Sequence, residues 1–328
     1  MKMDPSKQDY SKAFLSVMAP MLALYVRDCE KIVSENKSAR HIFLSREGYL
    51  LQKALMHYGR LVGSILDSSY LEVSRRSLCK ILAARGDLEL RFVTKEHFSG
   101  TISQLWTNRF GIPPEIVEEV LDSRKRKERV NRGHTTLISS ELSYANKVCP
   151  TFMGNEYQEG MKYLEKFFSN PDHTYVIGDV GYSGTMQDML ETILGTKLHG
   201  VYLALNNEKN NATNKRGVMP ADITKKILSN TRIIEILFNA GMPTVIGYKM
   251  KQGDVHPEYQ DETAWKSDFV QYHGKLMEKL SEIVSLPEPL LISWVRANYP
   301  SSLADYFSSS EGEIQQTLFE DLWSGGPV

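Results

Sequence analysis

Val176-Ile177-Gly178-Asp179-Val180-Gly181-Tyr182-Ser183-Gly184-Thr185 passes from apolar residues through an acid into small and hydroxylated residues. From Met186 to about Leu194 apolar positions then recur at helical spacing, so the segment reads as strand, polar turn and helix. Two earlier segments have the same form. His41-Ile42-Phe43-Leu44 stops at Ser45-Arg46-Glu47-Gly48 and leads into Leu50, Leu51, Ala54 and Leu55. Tyr70-Leu71-Glu72-Val73 stops at Ser74-Arg75-Arg76-Ser77 and leads into Leu78, Ile81 and Leu82. Downstream, Gly200 to Leu205 reads as a buried strand, residues 206–214 as an Asn-rich loop, Ile233 to Phe238 as a helix and Thr244 to Tyr248 as a strand. The alternation predicts an α/β fold, a mostly parallel sheet with helices on both faces, with ligands at the carboxyl ends of the strands.

The rest of the 328 residues reads as helical additions to that sheet. Between Arg85 and about Phe168 no strand is expected; Pro113-Pro114, Gly133 and Pro150 punctuate several short helices, giving a helical insertion over 85–168. It carries a basic run over residues 124–132, read first as a solvated helix face and otherwise as a cover for an anionic ligand. After residue 250 the chain is expected to be helical, so the domain reading is an α/β unit over 1–250 and a helical extension over 251–328. A first helix, capped by Asp9 or Ser11, runs to about Glu35. Its apolar run from Ala13 to Val26 is about 14 residues where a membrane span needs about 20. Asp4 and Asp9 stand where a signal peptide would carry bases, so a buried amphipathic helix capping the core is expected.

With 39 basic and 40 acidic residues the formal charge is -1, which gives no electrostatic footprint for nucleic acid or a polybasic membrane contact. Any anion site must be local. Three widely separated cysteines (Cys29, Cys79, Cys149) form neither a disulfide framework nor a zinc spacing, and a cytoplasmic location is expected. The eight histidines are scattered, with no zinc-type grouping. Of the tryptophans, Trp106 and Trp265 are the two weighed as walls of an acceptor groove, against the commoner packing role.

In a parallel sheet the three polar turns would share one rim. The third offers glycines, hydroxyls and a helix N-terminus to an anion, while Arg46, Arg75 and Arg76 offer planar donors that match phosphate oxygens. A multiply phosphorylated ligand would satisfy all three.

Residues 176–185 resemble the signature of type I phosphoribosyltransferases, a strand ending in an acidic pair before a loop of small residues. The first acid is here Gly178 and the last small residue is Met186. More narrowly, Phe43 to Tyr49, Tyr70 to Arg76, Asp179 to Thr185 and Ile234 to Ala240 resemble domains of bacterial surface-polysaccharide synthesis proteins that add ribofuranose. The resemblance covers roughly residues 40–250. It implies phosphoribosyl diphosphate as donor, Mg²⁺ held mainly by the ligand with either no direct protein ligand or Asp179 alone, and a glycan or lipid-linked glycan acceptor. It implies that Tyr182, Ser183, Gly184 and Thr185 hold the 5-phosphate, that Ser45, Arg46, Arg75 and Arg76 meet the diphosphate, and that Asp179 serves the ribose hydroxyls. Glu47 is the nearest carboxylate for a general base, with an ion pair to Arg46 or a helix N-terminal charge as its plainer role. Other polysaccharide synthesis enzymes or domains are the implied partners, with peripheral attachment at the inner membrane through them.

Three rivals compete. A haloacid-dehalogenase-like phosphatase needs Asp-x-Asp after its first strand, and no such triplet occurs in the chain. A methyltransferase would want an acid where the strand after the glycine turn ends, and Leu205-Asn206 has none. The third rival binds a sugar phosphate without turnover, which the loss of the first acid favours. Within the family a nucleobase acceptor is the other choice, and the bulk of the helical insertion favours something larger.

Overall fold

In the computed structural model the described residues are 5–93, 98–131, 134–206, 213–229, 231–238, 241–260 and 272–299. Helix α1 (Pro5–Glu35) leads into β1 (Ala39–Leu44), α2 (Gly48–Val62), β2 (Ser68–Leu71) and α3 (Arg75–Arg85). The insertion follows as α4 (Leu90–Val93), β3 (Gly100–Thr101), α5 (Ile102–Asn108), α6 (Pro114–Val120), α7 (Ser123–Lys127), β4 (Arg129–Val130), α8 (Thr135–Phe152) and α9 (Gly154–Phe168). The chain then returns through β5 (Thr174–Tyr182), α10 (Thr185–Leu194), β6 (His199–Leu205) and β7 (Lys215–Gly217). It closes with α11 (Ala221–Ser229), α12 (Thr231–Phe238), β8 (Val245–Lys251), β9 (Asp254–Tyr259), α13 (His273–Ile283) and α14 (Glu288–Asn298).

The main sheet has five parallel strands in the order β2-β1-β5-β6-β7. The α/β fold expected from the sequence is therefore present, with helices on both faces. Side chains alternate across the strands: Phe43, Val176 and Val180 enter one core, Ile42, Leu44, Tyr175 and Ile177 the other. Both faces are covered, which is why these strands are continuous apolar runs in the sequence. The first core is built with α1, α2 and α11 to α14, the second with α3, α10, the insertion and the β8–β9 hairpin.

Helix α1 is buried as expected, and more completely than an amphipathic helix would be. Val17 to Val26 are buried throughout, because α13 and α14 cover the side that would otherwise meet water. The apolar run is thus the mark of a helix enclosed by protein. No helix among the described residues is long and apolar enough to cross a membrane.

Four expectations are corrected. The fifth strand of the sheet is Lys215–Gly217, not Thr244–Tyr248. The latter region forms β8, which pairs with β9 in an antiparallel hairpin, so the chain after residue 250 is not wholly helical and a boundary there would cut β8. Among the described residues the insertion contains one ribbon, β3 with β4, two residues a side. Trp106 is fully buried against Phe110 and Tyr144 and donates from Nε1 to Glu141 Oε2 at 3.1 Å, so it builds the insertion's core rather than an acceptor groove. Trp265 lies outside the described residues.

Two side chains of the basic run pair inside the insertion, while Arg124, Lys127 and Arg129 are exposed, as on a solvated face. Asp122 caps α7 by accepting from the N–H groups of Arg124 and Lys125. Lys125 Nζ lies 2.7 Å from Glu141 Oε1, and Arg126 lies 3.5 Å from Glu118.

Candidate functional site

The carboxyl ends of β2, β1 and β5 stand side by side, so the three turns read from the sequence share one rim. Ser45 Oγ donates to the Val73 carbonyl at 2.6 Å and accepts from the Val73 N–H at 3.1 Å, which ties the first turn to the second. From β1 the chain moves to β2 on one side and later returns as β5 on the other. The gap between β1 and β5 is therefore the switch point at which ligands of open α/β sheets bind. Ser45, Arg46 and Glu47 border it on one side and Asp179 to Thr185 on the other. With strands about 4.8 Å apart, the β2 and β5 turns are separated by about 10 Å across β1.

The third turn needs its glycines. Gly181 has φ 153°, and a Cβ there would meet the Ala204 carbonyl oxygen at 2.3 Å. Gly184 has φ 63° and, as the N-cap of α10, brings no side chain to cap its first N–H groups. Those groups have no partner within the helix and favour an anion. Ser183 Oγ and Thr185 Oγ1 are 3.0 Å apart at the same corner.

Asp179, 6% exposed, lies at the carboxyl end of β5. Its Oδ1 accepts from the Val180 N–H at 2.8 Å, and no cation pairs with it among the described residues. Burial first, and then the nearby Glu47 carboxylate, hold its pKa well above the ordinary range; the Val180 N–H opposes this and Glu235 adds to it. Glu47 itself occupies the N-cap position of α2 and lies 3.9 Å from Arg46, so both of its plainer roles are realised. Burial, then Glu235 and Glu47, also push the Tyr182 phenol up, which puts three carboxylates around the end of β5.

The absent first acid has a packing cause. A Cβ on Gly178 would lie 2.6 Å from the Phe43 ring and 2.8 Å from the Tyr25 hydroxyl, so this position faces the first core, where no carboxylate fits. Gly178→Ala is expected to lose about 3 kcal/mol or more, read from the midpoint of urea unfolding; parental stability would show that the space is not closed.

Arg75 and Arg76 lie one step further along the chain than the turn reading had them, in the first turn of α3, which Ser74 and Ser77 cap reciprocally. Cations are disfavoured at a helix N-terminus. Arg76 is half-buried, burial lowers its pKa from the ordinary arginine value, and it forms no ion pair among the described residues. Two arginines against the helix dipole are what an anion site would retain.

Two residues not singled out from the sequence complete the rim. Glu235 comes from α12, whose Thr231 carbonyl accepts from the Tyr182 hydroxyl at 3.0 Å; one turn on, Glu235 shares that face. Lys215 of β7 reaches under the glycine turn. On the far side Ser74 Oγ donates to the Val245 carbonyl at 2.5 Å, and the Tyr248 hydroxyl donates to the Glu72 carbonyl at 3.1 Å. Helix α12 and strand β8 are thus anchored on opposite sides of β1's end. Asn239 and Ala240 of the fourth motif lie outside the described residues.

Neither models of known protein families nor curated protein sequences match this chain. What the rim defines by itself is a polar site at the switch point of a parallel sheet, with a glycine turn opening a helix, a buried acid and two arginines in the first turn of a helix. Among the described residues no three His, Cys, Asp or Glu side chains are grouped to hold a metal ion. The buried, cation-free Asp179 beside Glu47 is nonetheless suited to a divalent cation whose other ligands come from a phosphorylated substrate.

Proposed function

We propose that this chain is a phosphoribosyltransferase that moves 5-phosphoribofuranosyl units from phosphoribosyl diphosphate to a glycan or lipid-linked glycan acceptor in surface polysaccharide synthesis, on the cytoplasmic side and alongside other enzymes of that synthesis. The observation that carries the reading is the convergence on one rim of an uncapped glycine turn, a buried acid without a cation, and arginines placed against a helix dipole. A donor with a phosphate at one end, a diol in the middle and a diphosphate at the other matches that sequence of groups.

In the transfer the bond from ribose C1 to the diphosphate oxygen breaks, and its electron pair leaves with diphosphate. The acceptor hydroxyl oxygen bonds to C1 and gives up its proton. Tyr182 to Thr185 hold the 5-phosphate through the first N–H groups of α10 and the two hydroxyls. Asp179 fixes the ribose hydroxyls, which orients C1. Arg46, Arg75 and Arg76 receive the charge that builds on the departing diphosphate, with Ser45 setting the turn that carries Arg46. Glu47, held beside Arg46, takes the acceptor proton. Magnesium, when bound with the donor, adds charge neutralisation at the diphosphate, and Asp179 is the side chain we assign to it.

Release of diphosphate from phosphoribosyl diphosphate, with and without a glycan acceptor, tests the reading. Acceptor-dependent release supports it, and no release under any condition overturns it. Arg75→Ala and Arg76→Ala are each expected to raise the donor KM about tenfold or more, the loss of one charge-assisted contact. Parental KM values in both would remove the arginines from the site. Gly178 favours one second reading, a domain that binds the donor without transfer. Donor binding by calorimetry without diphosphate release would select it. A phosphatase is disfavoured because Ser45 stands where the nucleophilic acid would be.

A further inference from the structure

Lys215 is a buried lysine that the mechanism above does not use. Its side chain is 2% exposed, although the residue sits on the edge strand of the sheet. Two groups receive its ammonium: Nζ donates to the Gly184 carbonyl at 3.2 Å and forms an ion pair with Asp188 in the first turn of α10. The aliphatic stem fills the space beneath the turn, since a Cβ on Gly184 would meet Lys215 Cδ at 2.8 Å and Nζ at 3.0 Å. The turn therefore has a cation packed against Gly184, next to the paired hydroxyls of Ser183 and Thr185 and the start of α10.

Burying an ammonium is unfavourable, and a hydrophobic residue would fill the same volume without that penalty. The partner acid only half explains it, because Asp188 is itself 24% exposed on its side chain and would be stable in water. The Gly184 carbonyl already accepts from the Asp188 N–H at 3.1 Å; what the ammonium adds is a second bond to the same oxygen, which fixes the turn to β7, and a positive charge one peptide from the groups that would meet an anion.

We propose that Lys215 is a positioning residue for the Ser183–Thr185 turn, holding it open toward a phosphate monoester and biasing it electrostatically for that charge; this rests on the reading of the turn as a phosphate site. The two ends of the Lys215–Asp188 pair then have opposite effects. Removing the lysine takes away both the bond and the charge, whereas removing the acid's charge leaves the lysine in place and uncompensated. A pair that only braces the fold would respond in the same direction to either change.

The test is calorimetric titration of the full chain with ribose 5-phosphate, with ribose as the control. The parent is expected to bind the phosphate ester and not the sugar. Lys215→Met, which preserves the buried stem, is expected to weaken binding tenfold or more, and Asp188→Asn to leave it unchanged or tighten it severalfold. Parental affinity in Lys215→Met, or weakening of similar size in both variants, overturns the proposal. Should Lys215→Met not fold, Asp188→Asn still decides by the sign of its effect. If the parent itself fails to bind ribose 5-phosphate, the reading of the turn falls and this proposal with it; that result is distinct because it needs no variant.

Discussion

Asp179→Asn is expected to be more stable than the parent at neutral pH and about a hundredfold or more slower in phosphoribosyl transfer. The two effects have one origin. In the folded chain burial, then Glu47, raise the pKa of Asp179, so the native state holds its proton more tightly than the unfolded chain does. Stability contributed by that proton is present below the ordinary carboxylate value near 3.8 and is lost as pH rises toward the folded value. At pH 7 the group is a liability to folding, with each unit of raised pKa equivalent to about 1.4 kcal/mol. Asparagine keeps the acceptor for the Val180 N–H and removes the charge. Thermal unfolding at pH 7 and initial rates of diphosphate release are the two measurements. A variant that is less stable, or one that transfers at the parental rate, contradicts the assignment of a buried functional acid.

The second large effect is a loss of stability in mild acid. His41 is fully buried in β1, neither ring nitrogen has a hydrogen-bond partner among the described residues, and burial, then Arg216, lower its pKa from 6.5 to about 4. Between those values the unfolded chain takes up a proton that the native chain refuses. Stability therefore falls as pH drops from 6.5 toward 4 and levels off below, by about 3 kcal/mol for this residue. His273 is lowered to about 4 as well, by burial and then by Lys53, so two histidines act over the same window. Their combined slope reaches at most about 2.7 kcal/mol per pH unit. His41→Leu should about halve the pH dependence of the urea midpoint between 6.5 and 4, His273 supplying the remainder. An unchanged profile in that variant would mean that His41 finds a proton acceptor in the fold.

The architecture was legible where burial on both faces left a continuous apolar signal, as in Ile42 to Leu44, Val176 to Val180 and Gly200 to Leu205. It was not legible in β7, because Lys215-Arg216-Gly217 is three residues without an apolar side chain and its pairing with β6 is made by the backbone. Strand β9 was hidden for a related reason: of Asp254 to Tyr259 only Val255 is buried, and Pro257 argues against a strand by itself. The candidate site divides in the same way. Asp179, Ser183 to Thr185 and the arginines could be read because turn chemistry is local. Lys215 and Glu235 could not, since they arrive from strands and helices whose place beside β5 is set by tertiary packing. Gly178 was visible as a departure, but its cause, the Phe43 ring and the Tyr25 hydroxyl, lies in two other segments.

Enclosure of α1 between the sheet and the last two described helices has a consequence for how the protein is made. At about 5–20 residues per second, α1 leaves the ribosome tens of seconds before α13 and α14 are translated. Through that interval Val17 to Val26 present an apolar surface for which the nascent chain has not yet produced the covering helices. Holdase chaperones meeting this polypeptide during synthesis should therefore favour its first helix, and release should follow completion of the last.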